Sequence, residues 1–600
     1  MAKKQKLRAE IAEQYQWDLS DFYKQPEAFE HDVQQLITKA AAILNYRGII
    51  TKDAITLSKF LKDYHALSLL MEKIAVYTYL KKDEDCENNE HLQNQVRIAN
   101  LITKMNTEQS FILPELLKTD YQVIKKYLTQ EASLAPYAFV LAKIYRFADY
   151  ILPTDKEELM TNFNSITDGF YKSFNFIVNS QIKYGSFIDE NQQKVELNNS
   201  NYRKYIHSSS RAVRKRVTTL YRKQYQAYNL CLSENLIGCY KSENLEAITR
   251  GYQSALAESL YKNDLDPQIY YNLINTVDNK LKVLTKYYQL LKTQLKVKTL
   301  TDYDLNANLV SSLDKDYPYE TAQRIIIEAL GTLGKDYGNI INKAFKERWI
   351  DVYHNKGKAS GFYCMPNYSA KPVILANYEN KLDDVSALAH ELGHAINCYY
   401  SVLNNPYQYY DHSIFLAEVA SLTNEIIMAH YLLNKSKDKQ EKLYIISNLL
   451  NLYYSNLFKA TMGADFEVQL HEKLQNNETV TNETINNIWL NLLQKFYQKQ
   501  VKISPNAQYG WSAVPHFYYN YYYYQYATGI SMATYIAHKI MAQDQEMLTK
   551  YLAFLTKGGS DYPLNLIKEL GLDMTKPQII DEAITAFSDL IDLFDTIENS

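Results

Sequence analysis

The stretch Asp383–Tyr400 reads DDVSALAHELGHAINCYY. Its apolar residues Val385, Leu388, Ala389, Leu392 and Ala395 recur at helical spacing and place His390-Glu391-Leu392-Gly393-His394 inside a helix. Four residues span about 400° of helix, so the two histidines stack on one face about a turn apart. Two imidazoles so placed can share one tetrahedral zinc at about 2.0–2.1 Å. Glu391 lies roughly 100° around the helix, off the ligand face, where its carboxylate can reach a water and act as general base. In a chain of this length with 12 histidines, chance yields roughly 0.01 such motifs, which leaves a pair of hydrogen-bonded core histidines as the weaker alternative.

A catalytic zinc needs a third protein ligand and an open position for water. Ser413–Glu425, SIFLAEVASLTNE, offers it. Phe415, Leu416, Val419, Leu422 and Ile426 make an amphipathic helix, and Glu418 sits in it among Ala417, Ala420 and Ser421, small residues that permit close helix packing. A carboxylate in that setting is costly unless paired or metal-bound. Glu425, seven residues on and about two turns along the same face, is placed either to hydrogen-bond a ligand histidine or to stand as a solvated acid.

The rest of the 600-residue chain agrees with a helical scaffold. It has only 17 glycines and 13 prolines, few turn punctuators for this length. Periodic apolar residues mark helices up to about residue 110, over roughly 115–175 and again over about 205–590. They predict a mainly α architecture. Two interruptions stand out. Residues 176–197 pass from Ile177, Val178 and Ile182 through Asp189-Glu190-Asn191 to Val195 and predict a small hairpin, and Gly357–Asn377 predicts short strands around Val373-Ile374-Leu375.

Sixty-five basic against 68 acidic residues give a net charge of −3, which excludes a nucleic-acid coat. The basic stretch Arg211, Arg214, Lys215, Arg216, Arg222 and Lys223 spreads around a helix and reads as a solvated face. No run of about 18 apolar residues or apolar signal core occurs, so no membrane partner is expected. Five cysteines without a Cys-x-x-Cys pair fit reduced thiols in a cytoplasmic protein.

Tyrosine is the outlier, with 54 residues. From His516 to Tyr526 seven of eleven residues are tyrosine. Pro515 can start a helix, on which His516, Tyr519, Tyr523 and Tyr526 fall at i, i+3, i+7 and i+10 and share a face. Phenols and an imidazole preset on one face can stabilise negative charge that develops on a carbonyl oxygen.

His390-Glu391-Leu392-Gly393-His394 followed 24 residues later by Glu418 in AEVAS resembles the zinc site of the thimet-type oligopeptidases, most closely those of the oligoendopeptidase F type. The segments Arg250–Leu256, Gly357–Cys364 with Pro372–Leu375, and Pro515–Tyr519 are similar to further landmarks of that family. The resemblance implies a zincin-like helical metallopeptidase with a deep central channel and a small β element near the active site. It implies an amino-terminal helical region over 1–112, an oligoendopeptidase F-type domain with the hairpin over 113–200 and a catalytic domain over 201–590. One zinc per chain is expected on His390, His394 and Glu418, with Glu425 behind them and Glu391 as base. The family further implies that His516 and Tyr526 contact the oxyanion and that Tyr519 and Tyr523 contact substrate, while Gly361 and Phe362 lie where strand backbone pairs with an extended peptide. The expected substrates are short unstructured peptides, cut internally. A helical carboxypeptidase or dipeptidyl carboxypeptidase shares the motif but must anchor a terminal carboxylate, and a non-catalytic peptide-binding scaffold is the remaining alternative. One departure is Asn397, three past the second histidine, where such proteins often carry another histidine.

Overall fold

The computed structural model describes residues 6–310, 313 and 315–600. It is mainly helical, with a few strands of two or three residues. The chain forms two compact units, each assembled from separated stretches: Met1–Ile151, Lys315–Met428 and Ile536–Gly571 in one, and Leu152–Asp314, Ala429–Tyr535 and Leu572–Ser600 in the other. Among the described residues no helix is long and apolar enough to cross a membrane.

In the first unit, helices Pro26–Ile43, Ala54–Glu84 and Asn89–Glu108 bury Val33, Leu36, Leu57, Phe60, Ile74 and Ile98 in one core. Proline at the first position starts the first of these helices, and the carboxylate of Asp53 starts the second by accepting the Thr56 N–H at 2.8 Å. Val373 and Leu375 enter the same core from a three-stranded sheet. Its strands are β1 (Ile350–Asp351), β2 (Tyr363–Met365) and β3 (Val373–Leu375), in the order β1-β3-β2. β3 runs parallel to β1 and antiparallel to β2, which leaves β2 at the edge.

A buried ion cluster ties this sheet together. The Lys358 ammonium is paired with Asp351 at 2.6 Å and donates to the carbonyls of Tyr353 and Ala376 at 2.8 and 2.6 Å, while Arg8 reaches Asp351 at 2.7 Å. Every buried charge there has a partner, the condition under which such groups are tolerated.

The same sheet carries the helix Leu382–Asn404, here the motif helix, a few residues beyond β3. A short 3-10 turn, Ile414–Leu416, leads into the helix Ala417–Lys435, here the glutamate helix.

The second unit contains the hairpin, with Ser186–Ile188 antiparallel to Lys194–Glu196. It is shorter than the sequence predicts. Helix continues through Phe176, and a π-turn over Ile177–Gln181 precedes the strands.

The solvated reading of the basic stretch is corrected here. Lys215, Arg216 and Lys223 are exposed on the helix Arg211–Ala227, but Arg214 is 1% exposed. Arg214 and Arg211 both hold Asp304, at 2.9 and 2.8 Å, and Arg222 holds Asp302 at 2.8 Å. The acidic partners arrive from about 80–90 residues away, beyond the reach of helical periodicity. Removing one partner of a buried pair strands the other charge. Asp304→Ala is therefore expected to lower the unfolding free energy by about 3–5 kcal/mol, read from urea denaturation, whereas a change below about 1 kcal/mol contradicts a structural role.

Candidate active site

The motif helix and the glutamate helix meet where only a glycine fits. A Cβ on Gly393 would stand 2.6 Å from the Ser421 Cα and 2.8 Å from both the Ala420 carbonyl oxygen and the Ser421 nitrogen. Asn424 fastens the same crossing. Its amide donates to the Ala389 carbonyl at 3.2 Å and accepts the Tyr337 hydroxyl at 2.7 Å.

Backbone contact at Gly393 brings Glu418 against the two histidines. Glu418 Oε2 lies 3.4 Å from His390 Nε2 and 3.7 Å from His394 Nε2, and one donor atom from each of the three residues lies within 4.8 Å of the others. Both imidazoles are oriented from behind. His390 Nδ1 faces Glu425 Oε2 at 3.2 Å, Ser386 donates to the other oxygen of Glu425 at 3.0 Å, and His394 is bonded to the Ala417 carbonyl. Each ring thus turns Nε2 toward Glu418, the arrangement that fixes a ligand histidine.

The electrostatics agree with a place for a cation. Burial opposes protonation of His390, yet its bond to Glu425 and the nearby Glu418 and Glu391 carboxylates raise it to about 9. His394 is lowered to about 4 by burial and by His390. Three carboxylates around two imidazoles leave excess negative charge, and an N,N,O donor set suits zinc.

Glu391 sits beside the cluster and is 8% exposed. Burial and then Glu418 push its carboxyl up to about 6, against the pull of His390 and of a hydrogen bond from the Cys364 main chain. That bond joins the site to the edge strand. The Ile374 N–H is bonded to Trp349, on the β1 side, so in the Cys364–Ile374 pair the N–H and C=O of Cys364 point away from β3. The outer edge of β2 therefore faces Glu391, which accepts the Cys364 N–H. Gly361 and Phe362 lead into this strand. Gly361 is exposed at a φ of 93°, and its carbonyl accepts the Asn377 amide at 2.8 Å.

The sequence reading missed His412. It lies two residues before the turn that starts the glutamate helix and helps depress His394. No spacing signal marks it.

In the second unit the continuous tyrosine helix is corrected. Pro515–Tyr518 is one 3-10 turn and helix resumes only at Gln525, because Asn520 and Tyr521 take positive φ of 33° and 58°. Glu467 Oε1 accepts the Tyr521 N–H at 2.6 Å and holds that reversal. The loop still gathers the expected residues. His516 stacks on Tyr523 with ring centres 5.2 Å apart and meets the Tyr526 hydroxyl at 3.2 Å. Tyr519 packs edge-on to His516 at 5.8 Å and bonds its hydroxyl to Tyr171 at 2.5 Å.

A sequence profile of Peptidase family M3 matches residues 204–586, and a profile described as Oligopeptidase F matches 115–184. The chain belongs to peptidase family M3. This M3 peptidase is 30% identical to Oligopeptidase PepF of Bacillus subtilis over 98% of its own length and 87% of that protein. It is 32% identical to Group B oligopeptidase PepB of Streptococcus agalactiae over 97% of both chains. The crystal structure of oligoendopeptidase-F from Enterococcus faecium superposes with a TM-score of 0.76 at 27% identity, covering 96% of this chain and 99% of that one.

The crossing at Gly393 is directly testable. Gly393→Ala must push the two helices apart, so it is expected to lower the melting temperature and to reduce bound zinc well below one per chain by atomic emission. Wild-type metal content and stability in this variant would contradict the packing account.

Proposed function

We propose that this M3 peptidase is a zinc-dependent endopeptidase that cuts short unstructured peptides in the cytoplasm. The observation that carries the reading is the convergence of His390, His394 and Glu418 beside Glu391 and the outer edge of β2. Zinc held by these three residues would supply a Lewis acid that lowers the pKa of a water and polarises the scissile carbonyl.

The chain's own groups do the rest. Glu391 takes a proton from the attacking water and returns it to the leaving amine, a transfer favoured by a carboxyl raised toward neutrality. Glu425 keeps His390 oriented. An extended peptide pairs its main chain with Gly361, Phe362 and the outward-facing carbonyl of Cys364, which every peptide sequence can satisfy. His516 and Tyr526, already bonded to each other, donate to the developing oxyanion, with Tyr519 and Tyr523 against the substrate, roles that family membership supports. The five free thiols agree with a reducing compartment.

A peptide of about a dozen residues, with free and with amidated C-terminus, tests this by mass spectrometry. Chelator-sensitive internal cuts in both forms are expected, with casein left intact. Cuts confined to a free C-terminus would replace endopeptidase by carboxypeptidase action. Glu391→Gln is expected to keep its zinc and lose about 10²–10⁴ in kcat, and turnover within threefold of wild type would remove Glu391 from the mechanism.

A further inference from the structure

The second unit holds a cavity of about 210 Å³ whose lining shares only Tyr523 with the residues given catalytic or binding roles above. Its walls are largely apolar and aromatic, with Phe458, Met462, Trp489, Leu493 and Phe496 among them. About 150 Å³ of apolar space suffices for benzene, so the cavity has room for a ring and a short chain. Tyr523, which stacks on His516, forms part of the lining.

The charges in the wall do not balance. Arg222, Asp302 and Lys459 are the ionisable groups of opposite sign there. Arg222 and Asp302 neutralise each other at 2.8 Å, and Arg222 also donates to Ser504. Lys459 has no carboxylate within ion-pair distance among the described residues. Its ammonium donates to Asn306 Oδ1 at 3.3 Å and lies 5.0 Å from the Tyr454 ring. Burial alone depresses it to about 8, with no opposing carboxylate. Lys459 is half-buried, and its ammonium, held by one amide and a ring, lacks a carboxylate to offset its desolvation.

The backbone adds an independent observation. Lys459 ends a π-turn over Tyr454–Lys459, a rare geometry that recurs at functional sites. Tyr454, Phe458 and Lys459 all come from this turn, so the widened helix supplies both the cation and part of the aromatic wall.

We propose that this cavity binds a carboxylate carried on a small apolar or aromatic group, with Lys459 as its counter-charge. The carboxylate can come from the C-terminal residue of a peptide or from a free carboxylic acid, and the chemistry required of the cavity is the same. Trp489, Phe458 and Phe496 receive the apolar part.

The probe is 3-phenylpropionate, titrated calorimetrically into zinc-loaded protein beside its uncharged amide. Wild type is expected to bind one acid per chain at least about tenfold more tightly than the amide. Lys459→Met is expected to erase that preference and Lys459→Arg to retain it. Equal binding of acid and amide to wild type overturns the proposal, and so does a preference that survives in Lys459→Met, as a carboxylate seated on the metal centre would give. A measurement free of Lys459 variants is tryptophan fluorescence. The acid is expected to change the emission of wild type but not of Trp489→Phe, and a change that persists there places the acid elsewhere and overturns the assignment. The two sources separate in KM. A peptide terminus as ligand predicts a lower KM for free than for amidated peptides in wild type, lost in Lys459→Met. An equal KM with retained phenylpropionate binding assigns the cavity to free acids. The calorimetric and fluorescence readouts need no turnover, so they stand or fall apart from the proposed hydrolysis.

Discussion

Between Gly393 and the main chain of Ala420 and Ser421 there is no space for a methyl group, and the candidate site follows from that contact. Two helices carrying ordinary side chains pack 8–10 Å apart, whereas a glycine at the crossing lets backbones approach more closely. The approach sets Glu418 against two histidines one turn apart on the facing helix, and Glu425 two turns further on against the back of His390. One missing Cβ thus positions four polar side chains. Asn424, bonded to Ala389 and Tyr337, keeps the two helices from sliding past one another.

Charge is the second organising constraint. In two other clusters the buried ions are matched, Asp304 by Arg211 and Arg214, Asp351 by Arg8 and Lys358. These clusters join segments distant in sequence and hold the sheet and helix ends in place. At the motif helix the balance differs, because Glu391, Glu418 and Glu425 surround two imidazoles and draw a proton onto His390. Such an excess of carboxylate would be offset by a cation held among these side chains.

Much of this was legible in the sequence because it is local. Helical spacing places the histidines on one face, and AEVAS with its small residues marks the partner helix. The low glycine and proline content foretells the helical architecture. What periodicity misses is set by distant partners. Arg214 looks like surface because its neighbours in sequence are charged, while the Asp304 that buries it lies 90 residues away. The tyrosine run looks like a helix because the left-handed turn at Tyr521 is imposed by Glu467, 54 residues earlier. Gly393 sits inside a recognisable motif, but its function as a contact point needs the second helix in view. His412 carries no pattern, and its place beside His394 comes from the loop between the two helices.

The central claim, that two crossing helices build one metal site, is tested most directly by anomalous diffraction at the zinc edge from crystals of the zinc-replete protein. The account predicts a single strong peak per chain within bonding distance of His390 Nε2, His394 Nε2 and the Glu418 carboxylate, at about 2.0–2.2 Å. A peak bound by other residues, or none at these three side chains, would contradict it.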